Sequence, residues 1–350
     1  MTRKPTIDDV ARAAGVARAT VSRVLNASPN TSERVREKVL KAVEALNYQV
    51  NHQARQLASR TSRVVALVFA ADAEAEPNSY YHSAIELGAM RASTEHGYGL
   101  VTHTMDPTTD AYRSKILSLV NQSRCDGLIL TPPFSDDEEM IGELRECGYP
   151  FVLISAGPQA RGLSPSVGID DRQAGVELGS YLVEQGHRRF GYIGGPSEHR
   201  SAALRLEGLL EALHTAGLGD DAIDVVEGNF TFKSGIDLAA QLLSGARHPT
   251  ALVCANDDMA AGALFTAHRI GLNVPVDVSI TGFDDTPVSQ IVWPPLTTIH
   301  QPLRQMGSKA TELLIAGVMG ENGNHSAGTF EHFVPFELVQ RDSTAKRAVE

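Results

Sequence analysis

The stretch Thr6-Ile-Asp-Asp-Val-Ala-Arg-Ala-Ala-Gly-Val-Ala-Arg-Ala-Thr-Val-Ser-Arg-Val-Leu-Asn26 carries two helical patterns separated by Gly15. In the first, Ile7, Val10, Ala11 and Ala14 follow the i, i+3, i+4, i+7 rule and predict one buried face. Thr6 stands at its start with Asp9 three residues on, so the Thr6 hydroxyl is expected to accept a free backbone N–H. The second pattern buries Val21, Val24 and Leu25. At roughly 100° per residue, Arg18, Ala19, Ser22 and Arg23 then share the opposite, open face. That face has two guanidinium groups and no carboxylate. A helix–turn–helix with arginines on its second helix has the form that enters a DNA major groove, where Arg bonds O6 and N7 of guanine. The plainer reading is a helical hairpin with a solvated charged face, and a helix–Gly–helix pattern alone does not choose between them.

The residues that follow favour the first reading. Ser32 is placed to cap a third helix, whose Val35, Val39, Ala42, Val43 and Leu46 form another apolar stripe. Three stripes can close one small core. The charge is also divided. Residues 1–60 hold 11 Lys/Arg against 5 Asp/Glu, whereas the remaining 290 hold 20 against 37. The net charge of −11 therefore conceals a basic head on an acidic body, which confines any phosphate contact to the head.

The length of 350 residues predicts two or three domains. No apolar run approaches the ~20 residues of a membrane span. The first residues, Met-Thr-Arg-Lys-Pro5, lead into the first helix without the apolar segment of a signal peptide, so a cytoplasmic, nucleoid-associated protein is expected. Cys125, Cys147 and Cys254 lack metal spacing and read as reduced, buried thiols.

From Val64 the pattern changes to strands alternating with helices. Val64–Phe69 is a continuous apolar run, as in a parallel strand buried on both faces. Gly99–His103, Gly127–Leu130, Phe151–Ile154 and Val167–Ile169 continue the first set of strands. Phe190–Ile193, Val225–Glu227, Ala251–Cys254, Ser279–Gly282 and Thr298–His300 form a second. Helices are expected between them, for example over Ser83–His96, Ala174–Gln185, Leu204–Ala216 and Met259–Ile270. Such alternation predicts an α/β fold of doubly wound parallel sheets, and two sets predict two lobes.

The chain resembles the lactose-repressor (LacI/GalR-type) family of bacterial transcription regulators. The matching residues are Ile7-Asp-Asp-Val-Ala, Gly15-Val, Thr20-Val-Ser-Arg-Val-Leu-Asn26, Leu46-Asn-Tyr48 and Asn51-His-Gln-Ala-Arg-Gln-Leu-Ala58, and the likeness runs to about residue 343. It implies a helix–turn–helix head over 1–50, a hinge helix and linker over 51–62, and a periplasmic-binding-protein-like core over 63–343 ahead of a tail, 344–350. The implied N-lobe takes 63–161 and 301–326, and the C-lobe 162–300 and 327–343. The resemblance assigns base reading to Arg18, Ala19, Ser22 and Arg23, with Arg23 on a guanine. It assigns backbone contacts to Thr6, Asn26, Ser32, Tyr48 and Asn51. It gives the hinge residues Ala54 and Leu57 to the minor groove, Leu57 as an apolar wedge. The family's Ser at the start of the recognition helix is Ala17 here, which costs ~1 kcal/mol of capping.

In open α/β sheets ligands bind outside the carboxyl ends of the strands. The loops there carry Tyr80, Tyr81, Thr131, Ser155, His199, Ser201, Arg205, Phe230, Asn256, Asp284 and Gln301. Aromatics suit a sugar face, and Arg, Asn and Asp bond paired hydroxyls. Taken singly, an Asp or Asn at a strand end is as well read as a turn or cap, and Phe230 as core. The resemblance raises Arg205, Asn256, Asp284, Gln301 and Phe230 to effector contacts. Several sugar-responsive members have Asp where Ser155 stands, which removes a charged acceptor.

The chain shows no G-x-S-x-G, Walker lysine, H-E-x-x-H or strand-following G-x-G-x-x-G pattern, so no enzymatic activity, cofactor or metal is expected. The expected protein is a ligand-controlled repressor. Its partners are a near-palindromic operator, a second copy of the chain and a small effector, with a sugar or sugar derivative favoured. A nucleobase-responsive regulator is the alternative within this class, and a solute-binding module without DNA function the alternative outside it.

Overall fold

The computed structural model describes residues 5–25, 31–46, 48, 62–70, 79–109, 111–122, 124–244, 248–319 and 331–347. The chain divides into two units, Met1–Ser62 and Arg63–Glu350.

The first unit holds α1 (Ile7–Ala14), α2 (Arg18–Leu25) and α3 (Glu33–Ala45). Gly15 ends α1 in the left-handed region at φ 66°, which an L side chain adopts only with strain, and so turns the chain toward α2. Val10, Ala11, Ala14, Val21, Val24, Val39 and Ala42 are buried together, with Ile7, Leu25, Val35, Leu46 and Tyr48 packed around them. Of the two expected caps, that of α1 forms and that of α3 does not. Thr6 and Asp9 form the expected capping box, in which the Thr6 hydroxyl accepts the Asp9 backbone N–H; the same hydroxyl donates to Asp9 Oδ2 at 2.7 Å, and the Thr6 N–H donates to that oxygen at 2.9 Å. Ser32 occupies the cap position of α3 without a side-chain cap bond.

The second unit begins with β1 (Val64–Ala70), α4 (Ser79–Glu95), β2 (Gly99–Met105), α5 (Ala111–Asn121), β3 (Gly127–Leu130), α6 (Glu138–Glu146), β4 (Phe151–Ile154), α7 (Pro158–Arg161) and β5 (Ser166–Gly168). It continues with α8 (Asp171–Glu184), β6 (Phe190–Gly194), α9 (Arg200–Thr215), β7 (Ile223–Glu227), α10 (Phe232–Leu243), β8 (Ala251–Cys254), α11 (Asp257–Arg269) and β9 (Ser279–Thr281). It closes with α12 (Pro287–Ile291), β10 (Thr298–His300), α13 (Leu303–Met319), β11 (Glu331–Phe333) and β12 (Glu337–Val339). One sheet has the order β11-β5-β4-β3-β1-β2, and the other β7-β6-β8-β9, each parallel throughout. Parallel bridges Thr281↔Thr297 and Asp284↔His300 bring β10 alongside the second sheet, and β10 pairs antiparallel with β12. In β1, Val65, Leu67 and Phe69 enter one buried cluster and Ala66 and Val68 another, as period-2 alternation across a twice-covered sheet requires.

Sheet membership moves three of the expected boundaries. Ser166–Gly168 pairs with β4 and Glu331–Phe333 pairs with β5, so both belong to the first lobe, beyond the expected crossings at 161 and 326. Residues 344–347 also join the second lobe. Tyr181 and Thr344 hydroxyls meet at 2.8 Å, and the Arg347 N–H donates to the Gln185 carbonyl at 2.7 Å. Three-residue strands carry too little pattern to show which sheet they extend.

The helices also start earlier than the apolar pattern does. Helices α8, α9 and α11 begin at Asp171, Arg200 and Asp257, not at Ala174, Leu204 and Met259. Their first residues, Asp171, Arg200 and Asp257, are charged and so lie outside the apolar period. Asp170, Thr231 and Asn256 cap α8, α10 and α11 by accepting the N–H of Gln173, Ser234 and Met259 at 3.0, 3.1 and 2.9 Å.

Candidate functional site

On the head, Arg18, Ala19 and Arg23 are exposed along α2, and Ser22 is half-buried beside them. The Arg18 Nε lies 3.9 Å from Asp8 Oδ1, with both side chains largely solvated, a separation at which water screens most of the attraction. Tyr48 is half-buried against the small core, and Ser32 is exposed. Asn26, Asn51, Ala54 and Leu57 lie outside the described residues.

In the second unit a cavity of about 810 Å³ opens between the lobes. Its first-lobe wall includes Tyr81 and His82 of α4, Tyr112 and Arg113 of α5, and Asp136 through Glu139. The second-lobe wall includes Pro196 through Ser201, Arg205, Phe230 and Asp284. Of the sequence-derived candidates, Tyr81, His199, Ser201, Arg205, Phe230 and Asp284 line the cavity, whereas Tyr80, Thr131, Ser155, Asn256 and Gln301 do not.

Most of those outside the wall have other bonds. The Thr131 hydroxyl donates to the Val68 carbonyl at 3.0 Å. Asn256 donates from Nδ2 to the Phe230 carbonyl at 2.9 Å while its Oδ1 caps α11, which secures Phe230 in the left-handed region at φ 63°. Gln301 Nε2 donates to Asp284 Oδ1 at 2.6 Å. Ser155 is buried, with the Tyr81 phenol as its neighbour. Tyr80 is half-buried on α4.

Arg205 is held from three sides. Its Nε donates to Asp171 Oδ1 at 2.9 Å, its Nη1 donates to the Ala255 carbonyl at 2.8 Å, and its guanidinium carbon lies 3.7 Å from the centroid of the Phe283 ring. Burial works against its charge, but Asp171 and Asp284 outweigh that and raise its pKa. Burial pushes the Asp284 carboxyl up to about 7, against the opposing pull of Arg205 and the Gln301 bond. At neutral pH this group is poised between donor and acceptor. Burial, helped by Arg205, lowers the His199 imidazole to about 4, and its ring meets Phe230 edge-on at 5.2 Å. His199 is therefore neutral at pH 7. Across the cavity, Arg113 forks onto Asp137 at 2.7 and 2.9 Å, also bonds Glu139, and Tyr112 donates to Asp137 at 2.6 Å.

The sequence reading missed Asp171, Phe283, Asp136, Tyr112 and Arg113. Asp171 was within reach as a second carboxylate at a helix start, but its pairing with Arg205 spans 34 residues and has no local signature. Chemically, the cavity offers a fixed guanidinium, a carboxyl able to donate or accept, a neutral imidazole and an aromatic ring. Such groups are able to bond hydroxyls and to stack on an apolar ring face.

A helix–turn–helix unit followed by a two-lobed α/β body defines a DNA-binding regulator built on a periplasmic-binding-protein-like core. Residues 6–51 match the family described as bacterial regulatory proteins, lacI family, and residues 180–344 match the periplasmic binding protein-like domain. Catabolite control protein A of Priestia megaterium is 33% identical over 95% of this chain and 98% of its own. Among solved structures, the lac repressor dimer bound to operator and the anti-inducer ONPF superposes with a TM-score of 0.82 at 30% identity, covering 98% of this chain and 100% of that one. The CelR–cellobiose complex superposes with a TM-score of 0.71 at 31% identity, covering 97% and 99%. The chain belongs to the LacI family of bacterial transcriptional regulators. No helix among the described residues is long and apolar enough to cross a membrane.

Proposed function

We propose that this regulator is a repressor that binds a near-palindromic operator as a homodimer and takes up a small neutral effector, a sugar or sugar derivative, between its lobes. The observation that carries the effector reading is the Arg205 fork, preset by Asp171 and Phe283 beside the His199–Phe230 ring pair. A preset guanidinium loses little freedom on bonding vicinal hydroxyls. The cellobiose in the CelR complex supports a saccharide, and the lac repressor dimer on its operator supports the assembly. In this reading Tyr81, His199, Ser201, Arg205, Phe230 and Asp284 touch the effector, while Ser155, Asn256 and Gln301 hold that set from behind. Arg18 and Arg23 read bases, Thr6, Ser32 and Tyr48 contact phosphates, and the hinge segment with Leu57 couples the cleft to the operator. Ligand can shift DNA affinity only by its differential affinity for two lobe arrangements.

A thermal-shift screen against mono- and disaccharides, purines and nucleosides tests the effector. Ligand bound to the folded state raises Tm by mass action. A saccharide hit that disappears in Arg205→Lys supports the reading. A purine or nucleoside as the sole hit transfers the site to a nucleobase, and a saccharide hit unaffected by Arg205→Lys removes the cleft from it. Operator titrations with and without the hit then measure the coupling, expected at ~1–3 kcal/mol.

A further inference from the structure

Helix α9 carries Ser201 and Arg205 and follows directly on His199, so its placement sets one wall of the cleft. His199, its cap residue, gives the first turn no side-chain hydrogen bond, and its ring faces Phe230. The cap comes from the other lobe. The Arg200 N–H donates to Asp136 Oδ2 at 3.2 Å, and Asp136 belongs to the short turn Phe134–Asp136 of the first lobe. The second oxygen, Asp136 Oδ1, accepts the Gly157 N–H at 2.6 Å. Gly157 also lies against Arg200, since a Cβ placed there would sit 2.8 Å from Arg200 Cβ and 3.0 Å from its Cγ. Asp136 and Gly157 thus form a socket that receives the first residue of α9 from across the cleft. Burial pushes the Asp136 carboxyl up to about 6, with the two N–H donors and the Arg200 and Arg161 guanidiniums pulling against it. It is therefore still ionised at neutral pH, the form that a helix N-terminus favours.

We propose that Asp136 is a positioning residue for the cleft: it caps α9 across the lobes and fixes the separation at which His199 and Arg205 face Tyr81 and Tyr112. The consequence for effector affinity rests on the reading of the cleft given above, whereas the lobe contact does not. Parting the lobes exposes the Arg200 N–H and the carboxylate to water, so the bond favours the closed arrangement.

Hydrogen–deuterium exchange of the full chain at pH 7.5 tests this, comparing wild type with Asp136→Ala, Asp136→Asn and Gly157→Ala. Removing a hydrogen bond to a charged group is expected to raise exchange at residues 200–203 about tenfold. Strands Gly127–Leu130 and Ala251–Cys254 should be unchanged. Gly157→Ala keeps the carboxylate but obstructs the socket, and should raise exchange over the same second-lobe amides. Should Asp136→Ala fail to fold, the isosteric Asn variant decides, with a smaller rise at the same residues. Unchanged exchange at 200–203 in both the Asp136 and Gly157 variants would overturn the proposal. So would a rise confined to the first lobe, which marks Asp136 as a local support only.

Discussion

The arginines of the head and those of the cleft have the same chemistry in opposite settings. On α2, Arg18 and Arg23 are exposed, and Arg18 lies 3.9 Å from a solvated carboxylate, that of Asp8. Their charge is available to an incoming anion. In the cleft, Arg205 is buried with Asp171 at 2.9 Å, and Arg113 is forked onto Asp137. Those charges are already answered, and what remains to a ligand is directional hydrogen bonding. The first arrangement suits a polyanion whose counterions are released on contact. The second suits a neutral partner recognised by shape and donors. One residue type thus serves two kinds of recognition, and local carboxylates decide which.

The largest test of this contrast is salt. Operator affinity should fall on the order of a thousandfold or more between ~50 and ~200 mM salt if a dimer makes ~6–10 phosphate contacts. Effector affinity over the same range should change by less than about twofold, because buried pairs are little screened. Fluorescence anisotropy and calorimetry measure the two, and equal salt slopes would erase the distinction.

Next in size is Arg205→Ala. Removing one partner of a buried pair strands the other, so the core should lose about 3–5 kcal/mol in denaturant unfolding. Asp171→Ala in the same chain should restore part of the loss, since the stranded carboxylate goes too. A loss below ~1 kcal/mol would show that Arg205 is not answered as the geometry indicates.

Asp284 gives a pH signature. Its carboxyl is at about 7 in the folded chain, above its ordinary 3.8, so between those values the folded state holds more protons than the unfolded. Its contribution to stability is therefore present at low pH and is lost as pH rises toward 7. His82, His187 and His199, lowered to about 4 by burial, act the other way, adding stability as pH rises from about 4 to 6.5. The variant isolates the aspartate. Tm of Asp284→Asn minus Tm of wild type should increase from pH 5 to pH 8, and a pH-independent difference would contradict the burial-raised pKa.

Arg23→Ala is the smallest of the four. It should cost ~1–3 kcal/mol of discrimination at one guanine per half-site and leave core stability unchanged. Competition between matched and substituted operators reads it. An unchanged preference would move base reading to other residues of α2.

The head was legible because its determinants are local. Periodicity at Ile7, Val10, Ala11 and Ala14, the turn at Gly15 and the open face at Arg18 and Arg23 all lie within one short stretch, and the fold keeps them so. The α/β alternation of the body was legible for the same reason, since a strand buried on both faces must be apolar along its whole length, as Val64–Phe69 is. The tertiary structure alone decided the division of labour in the cleft. It set Arg205, His199 and Phe230 on the wall, turned Asn256 and Gln301 into supports behind it, and brought in Asp171, Asp136 and Tyr112. The physical reason is twofold. Much of the cleft wall comes from polar residues at helix starts and loops, such as Tyr112, Arg113, Glu138, Arg200 and Ser201, which carry no hydrophobic period. Its decisive bonds, such as Arg205 to Asp171 and Arg200 to Asp136, join residues 34 and 64 positions apart, the first brought together only when α8 packs on α9 and the second only when the two lobes meet.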